Sequence, residues 1–310
     1  MYIVITNPMA GNGKAKRLLE EIQNEELFTI KNCRSFQTEF AGHGKTLIQS
    51  VLRTHPIPIN GVIVIGGDGT LHEIVNGLMN YPDLPVGFIP SGSGNDFAKG
   101  LGLRLQGVEL FRKLLTTPNA SRIKIGQATC KHQNQKIRDY YFQNSLGTGL
   151  DSEIALLSND SRFRKEVKKW HISQLQYVVA LFKTLKKFKH VEAEVDINGR
   201  TVKYKSFLLT TIANHPFFGK GMKIAPNADV NSFSFSVILI EPLAKWKVLI
   251  LFLTVFMGVH TRLRKVHELS GSSIKIKSTV PILLQLDGQS YWCVECHVKK
   301  SNNTLVFLTD

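Results

Sequence analysis

The stretch Val62-Ile63-Val64-Ile65-Gly66-Gly67-Asp68-Gly69-Thr70-Leu71-His72-Glu73 decides the fold. Consecutive β-branched residues read as a buried strand, the glycines as a tight turn, and the residues from about Thr70 as a helix. The first amides of a helix have no intrahelical partner, so such a turn offers donors to a ligand. Without Cβ atoms the backbone of Gly66, Gly67 and Gly69 can wrap a polyphosphate, which the helix dipole also attracts. Asp68 is out of place beside phosphates unless a cation bridges them, which makes Mg²⁺, held through the phosphates, an expected partner. Thr70 either donates its hydroxyl to a phosphate or caps the helix.

The same alternation surrounds this segment. Strands are expected over 2–6, 34–39, 61–65 and 85–89, and helices begin near Gly13, Gly44, Thr70 and Asn95. Strand, loop, helix, strand is the pattern of an α/β domain with a mostly parallel sheet, whose ligands lie at the carboxyl ends of the strands. A second turn, Pro90-Ser-Gly92-Ser93-Gly94-Asn95-Asp96, also leads from a strand into a helix. Asn95 and Asp96 taken singly are helix caps; paired with the first loop they form one side of a nucleotide cleft.

Beyond about residue 125 the texture changes to period-two segments, among them 191–197, 204–213 and 233–240, with Asn198-Gly199 as a turn. This predicts a second, antiparallel, β-sandwich-like domain. The expected boundaries are 1–125 for the nucleotide-binding domain and 126–295 for the β-rich domain, with about 296–310 returning to the first. Two helices interrupt the second domain: one over about 165–188, with Ile172, Leu175, Val179 and Phe182 at helical spacing, and one over about 243–260.

The chain has 310 residues, 43% of them hydrophobic and 20% charged, which suits buried cores and excludes intrinsic disorder. Thirty-nine Lys and Arg against 24 Asp and Glu leave a net charge of +15, which favours polyanions. The excess concentrates in 161–190, where nine basic residues stand with one acid, Glu166. Such a run serves either a solvated helix face or an anionic surface. A strand from residue two leaves no room for a signal peptide, and the longest apolar stretch, 248–259, is short of the roughly 20 residues that span a bilayer. The expected location is therefore cytoplasmic.

Two motifs mislead. Cys293-Val-Glu-Cys296-His297 matches a haem attachment pattern, but the segment reads as a strand, where an offset of three sends the sulfurs to opposite faces, and Cys33 and Cys130 stand alone. Free buried thiols are expected. Gly44-Lys45-Thr46 ends like a P-loop, yet Glu39 occupies the position that needs the first glycine. Gly92-Ser-Gly94-Asn-Asp-Phe97 likewise fails the dinucleotide fingerprint at Phe97.

The ordered set Asn7-Pro8 with Gly11, Thr38-Glu39 with Gly42-His43, Gly66-Gly-Asp-Gly-Thr70 and Pro90-Ser-Gly-Ser-Gly-Asn-Asp96 resembles the diacylglycerol kinase catalytic domain. The likeness, to the soluble bacterial lipid kinases, continues through Phe142-Gln-Asn144 with Gly147 and Asp151, Asn214-His-Pro-Phe-Phe-Gly219, Gly221-Met-Lys223 with Ala225-Pro226, and Leu286-Asp287-Gly288. It implies an NAD-kinase-like first domain and ATP-dependent, Mg²⁺-assisted phosphoryl transfer to a lipid hydroxyl, with the nucleotide between the domains. It places Asn7, Pro8, Gly11, Thr38, Gly66, Gly67, Asp68, Gly69, Thr70, Glu73, Ser93, Asn95 and Asp96 at the ATP. Ser93 stands where many members have Thr, which keeps a hydroxyl.

Two positions depart from the family. The acid–base element Asp-Gly-Glu reads Asp287-Gly288-Gln289, and a Gln cannot accept a proton at neutral pH, so if the missing Glu is the base only Asp287 remains nearby for catalysis. The metal-holding loop after Ala225-Pro226 carries Asp229, Ser232 and Ser234, with Ser232 in place of Asp. The favoured activity is lipid kinase, acting on diacylglycerol or a related lipid. A catalytically impaired nucleotide-binding sensor and an NAD kinase are the alternatives.

A lipid substrate brings such a protein to a bilayer, and the basic helix with 248–259, followed by Arg262, Arg264 and Lys265, suits an anionic membrane surface. Peripheral association is the expectation. No stripe interleaves aromatic with basic residues in the manner that stacks bases, so nucleic acid is not an expected partner; a homodimer stays open.

Overall fold

Residues 61–66 are buried throughout, the condition of a parallel strand covered on both faces. The computed structural model describes residues 1–55, 57–169, 176–202 and 206–310. Its chain divides into two compact units, Met1–Ile125 with Ser301–Asp310, and Gly126–Lys300.

Unit 1 runs β1 (Tyr2–Thr6), α1 (Lys14–Gln23), α2 (Glu26–Ile30), β2 (Cys33–Gln37), α3 (His43–Thr54), β3 (Gly61–Gly66), α4 (Asp68–Leu78), β4 (Val86–Pro90), α5 (Asp96–Gly100) and α6 (Gly107–Thr116). The parallel order β4-β3-β1-β2 is extended beyond β4 by Phe307 and Leu308, at the end of the chain. The core on one side is built by α1 and α6, whose apolar residues recur at helical spacing: Ala15, Leu18, Leu19 and Ile22 on one, Leu110, Phe111, Leu114 and Leu115 on the other. Every connection after β1, β2, β3 and β4 emerges at the carboxyl end of its strand, so four loops share one edge of the sheet.

Between the units the chain passes through β5 (Asn119–Lys131). Unit 2 continues with β6 (Ile137–Phe142), β7 (Ser145–Gly149), α7 (Leu150–Asn159), α8 (Ser161–Lys169), α9 (Gln176–Lys187), β8 (Val191–Glu192), β9 (Glu194–Ile197), β10 (Arg200–Thr201) and β11 (Ser206–Phe207). Then come β12 (Leu209–Ala213), β13 (Phe217–Phe218), β14 (Met222–Lys223), β15 (Phe235–Ile240), α10 (Lys245–Met257), β16 (Val266–Gly271), β17 (Ser273–Leu286) and β18 (Gln289–Thr309). The order β16-β15-β12-β7-β17-β18 is antiparallel at every step. Strand β17 changes partner along its length, pairing with β9 over Ile274–Lys277 and with β7 over Leu284–Leu286. An irregularity between Lys277 and Ile282 lets it turn from one layer to the other.

The β-rich second unit is as the period-two texture predicts. Strand β15 is buried at all six positions because Phe235, Val237 and Leu239 enter the sandwich core while Ile238 and Ile240 face the helices. The two-residue turns Asn198-Gly199 and Asp287-Gly288 both hold positive φ, 53° with 81° and 48° with 86°. Of the basic segment, Ser161–Lys169 and Gln176–Lys187 are helical, as α8 and α9; Ile172, Leu175 and Tyr204 lie outside the described residues, and Phe182, one of the apolar residues at helical spacing, is exposed. Two expectations need correction. The segment 191–197 breaks at Ala193 into two strands. The sulfurs of Cys293 and Cys296 do not point to opposite faces. The β17–β18 irregularity shifts the alternation between them, both enter the same core, and the Cys130 Sγ lies 3.5 Å from that of Cys296. Cys130 is therefore not isolated. Among the described residues no group of three or more His, Cys, Asp or Glu is placed to hold a metal ion. No described helix is long and apolar enough to cross a membrane.

Candidate functional site

In unit 1 the loops at the sheet edge are locked together by the residues that the sequence singles out. Helix α4 begins at Asp68, whose Oδ2 and Oδ1 accept the backbone N–H groups of Asp96 and Phe97 at 3.1 and 3.0 Å. Those amides open α5, and their partial positive charge favours the carboxylate. The Glu73 carboxylate accepts the N–H groups of Gly42 and Gly44 at 2.7 and 2.8 Å, which ties α4 to the start of α3. Both acids are thus loop clamps by geometry.

The hydroxyl of Thr70 accepts from Asn7 Nδ2 at 3.1 Å, and Asn7 Oδ1 accepts the Met9 N–H at 3.1 Å, so the first loop is joined to the glycine turn. Gly92 is held from both sides by Asn95, whose Oδ1 accepts its N–H at 2.9 Å and whose Nδ2 donates to its carbonyl at 3.0 Å. Asn95 adopts a φ of 55° to do so. Gly67 and Gly92 touch back to back: a Cβ on Gly92 would lie 2.5 Å from the Gly67 Cα. A Cβ on Gly11 would meet the Ser91 carbonyl at 2.2 Å. Asn7, Pro8, Gly11, Gly66 to Thr70, Ser93, Asn95 and Asp96 therefore come together as one cradle. Ser93 is exposed in the β4–α5 loop, while Thr38 is buried, its N–H bonded to the Thr6 carbonyl at 2.9 Å.

In unit 2, Asp287 occupies the first position of the β17–β18 turn and is committed to the backbone. Its Oδ2 accepts the Gln143 N–H at 2.9 Å, and its Oδ1 accepts those of Asn144 and Ser145 at 2.8 and 3.1 Å. Gln289, half-buried, opens the following strand. Behind this turn lies a buried polar network that joins Asn144, Asn214 and His215 of the quoted motifs to Lys300, which the sequence did not single out. Lys300 Nζ donates to Asn214 Oδ1, and Asn214 Nδ2 to the Gln143 carbonyl at 3.1 Å. His215 Nε2 meets Asn144 Oδ1 at 2.7 Å while its Nδ1 accepts the Phe217 N–H at 3.2 Å, which puts the proton on Nε2. Burial pushes the His215 imidazole down to about 4, with Asp287 pulling up and Lys300 pulling down. Strict alternation from Cys296 through Val298 puts Lys300 on the buried face, which is the signal that could have found it.

The most unusual acid is Asp151, at the start of α7. Burial lifts its carboxyl to about 7, although the Ser152 amide, the Gln285 side chain and the Thr211 hydroxyl pull it the other way. The Ser152 N–H lies at 2.8 Å and the Thr211 Oγ1 at 3.4 Å. Asp151 borders a small apolar chamber of about 50 Å³ within the packed core of β12, β15 and helices α7, α9 and α10, with Phe218, Met222, Leu251 and Phe252 in its lining. It is the only ionisable residue among those lining that chamber.

The candidate metal loop closes on itself: Asp229 Oδ1 accepts the Asn231 N–H at 2.9 Å, and the Ser232 Oγ accepts the Ser234 N–H at 3.1 Å. Asp229 brings the one carboxylate of the three, and the Ser232 Oγ is already an acceptor within the loop.

Two family models match the chain: "Diacylglycerol kinase catalytic domain" over residues 1–128 and "YegS C-terminal NAD kinase beta sandwich-like domain" over residues 144–301. Among curated proteins, "Putative lipid kinase YtlR" of Bacillus subtilis is 27% identical over 288 residues, 93% of each chain. A protein of Mycobacterium tuberculosis named "Diacylglycerol kinase" is 25% identical over 274 residues, 88% of this chain and 84% of its own. A crystal structure described as a "putative diacylglycerol kinase" from Bacillus anthracis superposes with a TM-score of 0.75 at 20% identity, covering 100% of this chain and 95% of the other. That likeness bears on the fold.

Proposed function

The chain belongs to the diacylglycerol kinase family, and on that premise we propose that it transfers the γ-phosphoryl group of ATP to a hydroxyl of diacylglycerol or a related lipid. The observation that carries the reading is the pair of glycine turns at Gly67 and Gly92, packed back to back and tied together by Asp68 and Asn95.

Phosphoryl transfer asks the protein for positioning, charge neutralisation and a group that orients or takes the hydroxyl proton. The glycine turns at Gly67 and Gly92, the α4 N-terminus and the Ser93 hydroxyl cradle the phosphates. Mg²⁺ bound with the phosphates would supply charge neutralisation, and Asp68 keeps the two loops that cradle them in register. As the bond from the lipid oxygen to γ-phosphorus forms and ADP leaves, the hydroxyl proton passes to Asp151. A carboxyl that titrates near 7 is matched to that task at neutral pH. Asp287 serves the 143–145 backbone, and Gln289 cannot take a proton.

A second reading, a nucleotide-binding sensor without turnover, is favoured by Gln289 and Ser232, which stand where acids are expected. Transfer of labelled γ-phosphate from Mg²⁺-ATP to a lipid panel in mixed micelles separates the two. The kinase reading expects a labelled lipid with the wild type, at least about a hundredfold less with Asp151→Asn, and a change of less than tenfold with Gln289→Glu. No product from the wild type, with ATP still bound and product appearing in Gln289→Glu, supports the sensor. Formation of NADP from NAD in the same assay would overturn both.

A further inference from the structure

Helix α10 is apolar on both sides. Val248, Leu251 and Val255 are buried, and they line the chamber that holds Asp151. The opposite side carries Trp246, Ile250, Leu253 and Met257, spaced four, three and four residues apart, and these are 62%, 53%, 64% and 65% exposed. An ordinary surface helix presents polar residues outward, and a continuous exposed apolar stripe marks an interaction surface.

The surroundings of the stripe identify its partner. The segment 243–265 contains no Asp or Glu, and Lys245, Lys247, Arg262, Arg264 and Lys265 in it are all exposed. Lys245 Nζ donates to the Lys186 carbonyl at 2.7 Å and Lys265 Nζ to the Pro242 carbonyl at 3.1 Å, so basic residues from three segments gather at the start of the helix. Lys247 Nζ lies 5.3 Å from the ring of Trp246. A second copy of the chain would set these same cations against one another across a two-fold interface. An anionic lipid layer instead neutralises them while its acyl region takes up the stripe. Thirteen residues cannot span a bilayer, so the helix would lie in the plane of the interface.

We propose that α10 docks the protein on an anionic bilayer, with Trp246, Ile250, Leu253 and Met257 among the acyl chains and Lys245, Lys247, Arg262 and Arg264 at the headgroup phosphates. The inference deepens the lipid-kinase reading and rests on it for the purpose of docking, not for the geometry. The helix that walls the chamber is then the one that touches the membrane supplying the acceptor.

The test uses the full-length protein without nucleotide, so that a failure of docking and a failure of phosphoryl transfer are seen separately. Co-sedimentation is measured with vesicles of phosphatidylcholine alone and of phosphatidylcholine mixed with phosphatidylglycerol. The expected result is pelleting with the mixed vesicles, weakened at least about tenfold by Ile250→Glu with Leu253→Glu and about as much by Lys247→Glu with Arg264→Glu. The mixed vesicles should also shift tryptophan emission to the blue in the wild type and not in Trp246→Phe. All these positions are exposed, so unchanged thermal melts verify that the variants fold. Equal pelleting of wild type and both variants, or none by the wild type, overturns the proposal. A dimer in sedimentation velocity that Leu253→Glu splits, without vesicle binding, overturns it in favour of a second copy.

Discussion

The carboxylate of Asp68 accepts the backbone N–H of Phe97 at 3.0 Å, across 29 positions of sequence. That bond, with its neighbour to Asp96, makes the glycine turn after β3 and the loop after β4 a single piece. The acid of the glycine turn thereby also caps the next helix.

Asp68→Ala should therefore destabilise unit 1 by about 3 kcal/mol, the effect of removing two charge-assisted acceptors from a helix N-terminus. Asp68→Asn, which keeps one acceptor oxygen, should lose less. Urea unfolding followed beside ATP titration calorimetry checks it: ATP affinity should fall in the order wild type, Asn, Ala, in parallel with stability.

Gly92→Ala should separate the two loops, since its Cβ would sit 2.5 Å from the Gly67 Cα with no flexible side chain to yield. ATP affinity should drop at least tenfold, while Ser93→Ala, at an exposed position, should leave the melting temperature within experimental error.

Stability should carry two opposing pH slopes. Asp151 has a folded pKa of about 7, above its ordinary 3.8, so its protonated form is favoured on folding. Its contribution is full below about pH 4 and is lost as pH rises to about 7, for a total of about 4 kcal/mol. His215 has a folded pKa of about 4, below its ordinary 6.5, so its contribution is present above 6.5 and lost as pH falls to about 4, for about 3 kcal/mol. Between pH 4 and 6.5 the two nearly cancel. Relative to the wild type, Asp151→Asn should make stability rise more steeply with pH over that range, and His215→Gln should make it fall. Denaturant midpoints measured at half-unit pH steps decide it; parallel curves for all three proteins would contradict the assignment.

Asp287→Ala should unfold unit 2 at lower denaturant by about 3 kcal/mol or more, because the Gln143, Asn144 and Ser145 amides lose their acceptor together. Asp287→Asn, which keeps one acceptor oxygen, should recover part of that stability and most of the phosphoryl transfer. A carboxylate acting as the base would instead leave Asp287→Asn inactive despite its stability.

Much of unit 1 was legible because its signals are local. The run 62–65 with its glycines, the helix start near Gly13 and the turn residues at 92–95 act within a few positions of themselves, and each predicts its element to within about two residues. The antiparallel texture of unit 2 followed from period two for the same reason. The tertiary structure decided which residues meet. Asp68 finds its partners 28 and 29 residues away, Asp287 finds its own 142 to 144 residues away, and Lys300 reaches Asn214 across 86. A single β-irregularity put Cys293 and Cys296 in one core, against the strict alternation of a strand. Asp151 looks like any acid at a helix start; only the closing of apolar walls around it raised its carboxyl toward neutrality, because the cost of charge depends on what surrounds a group and not on its neighbours in sequence.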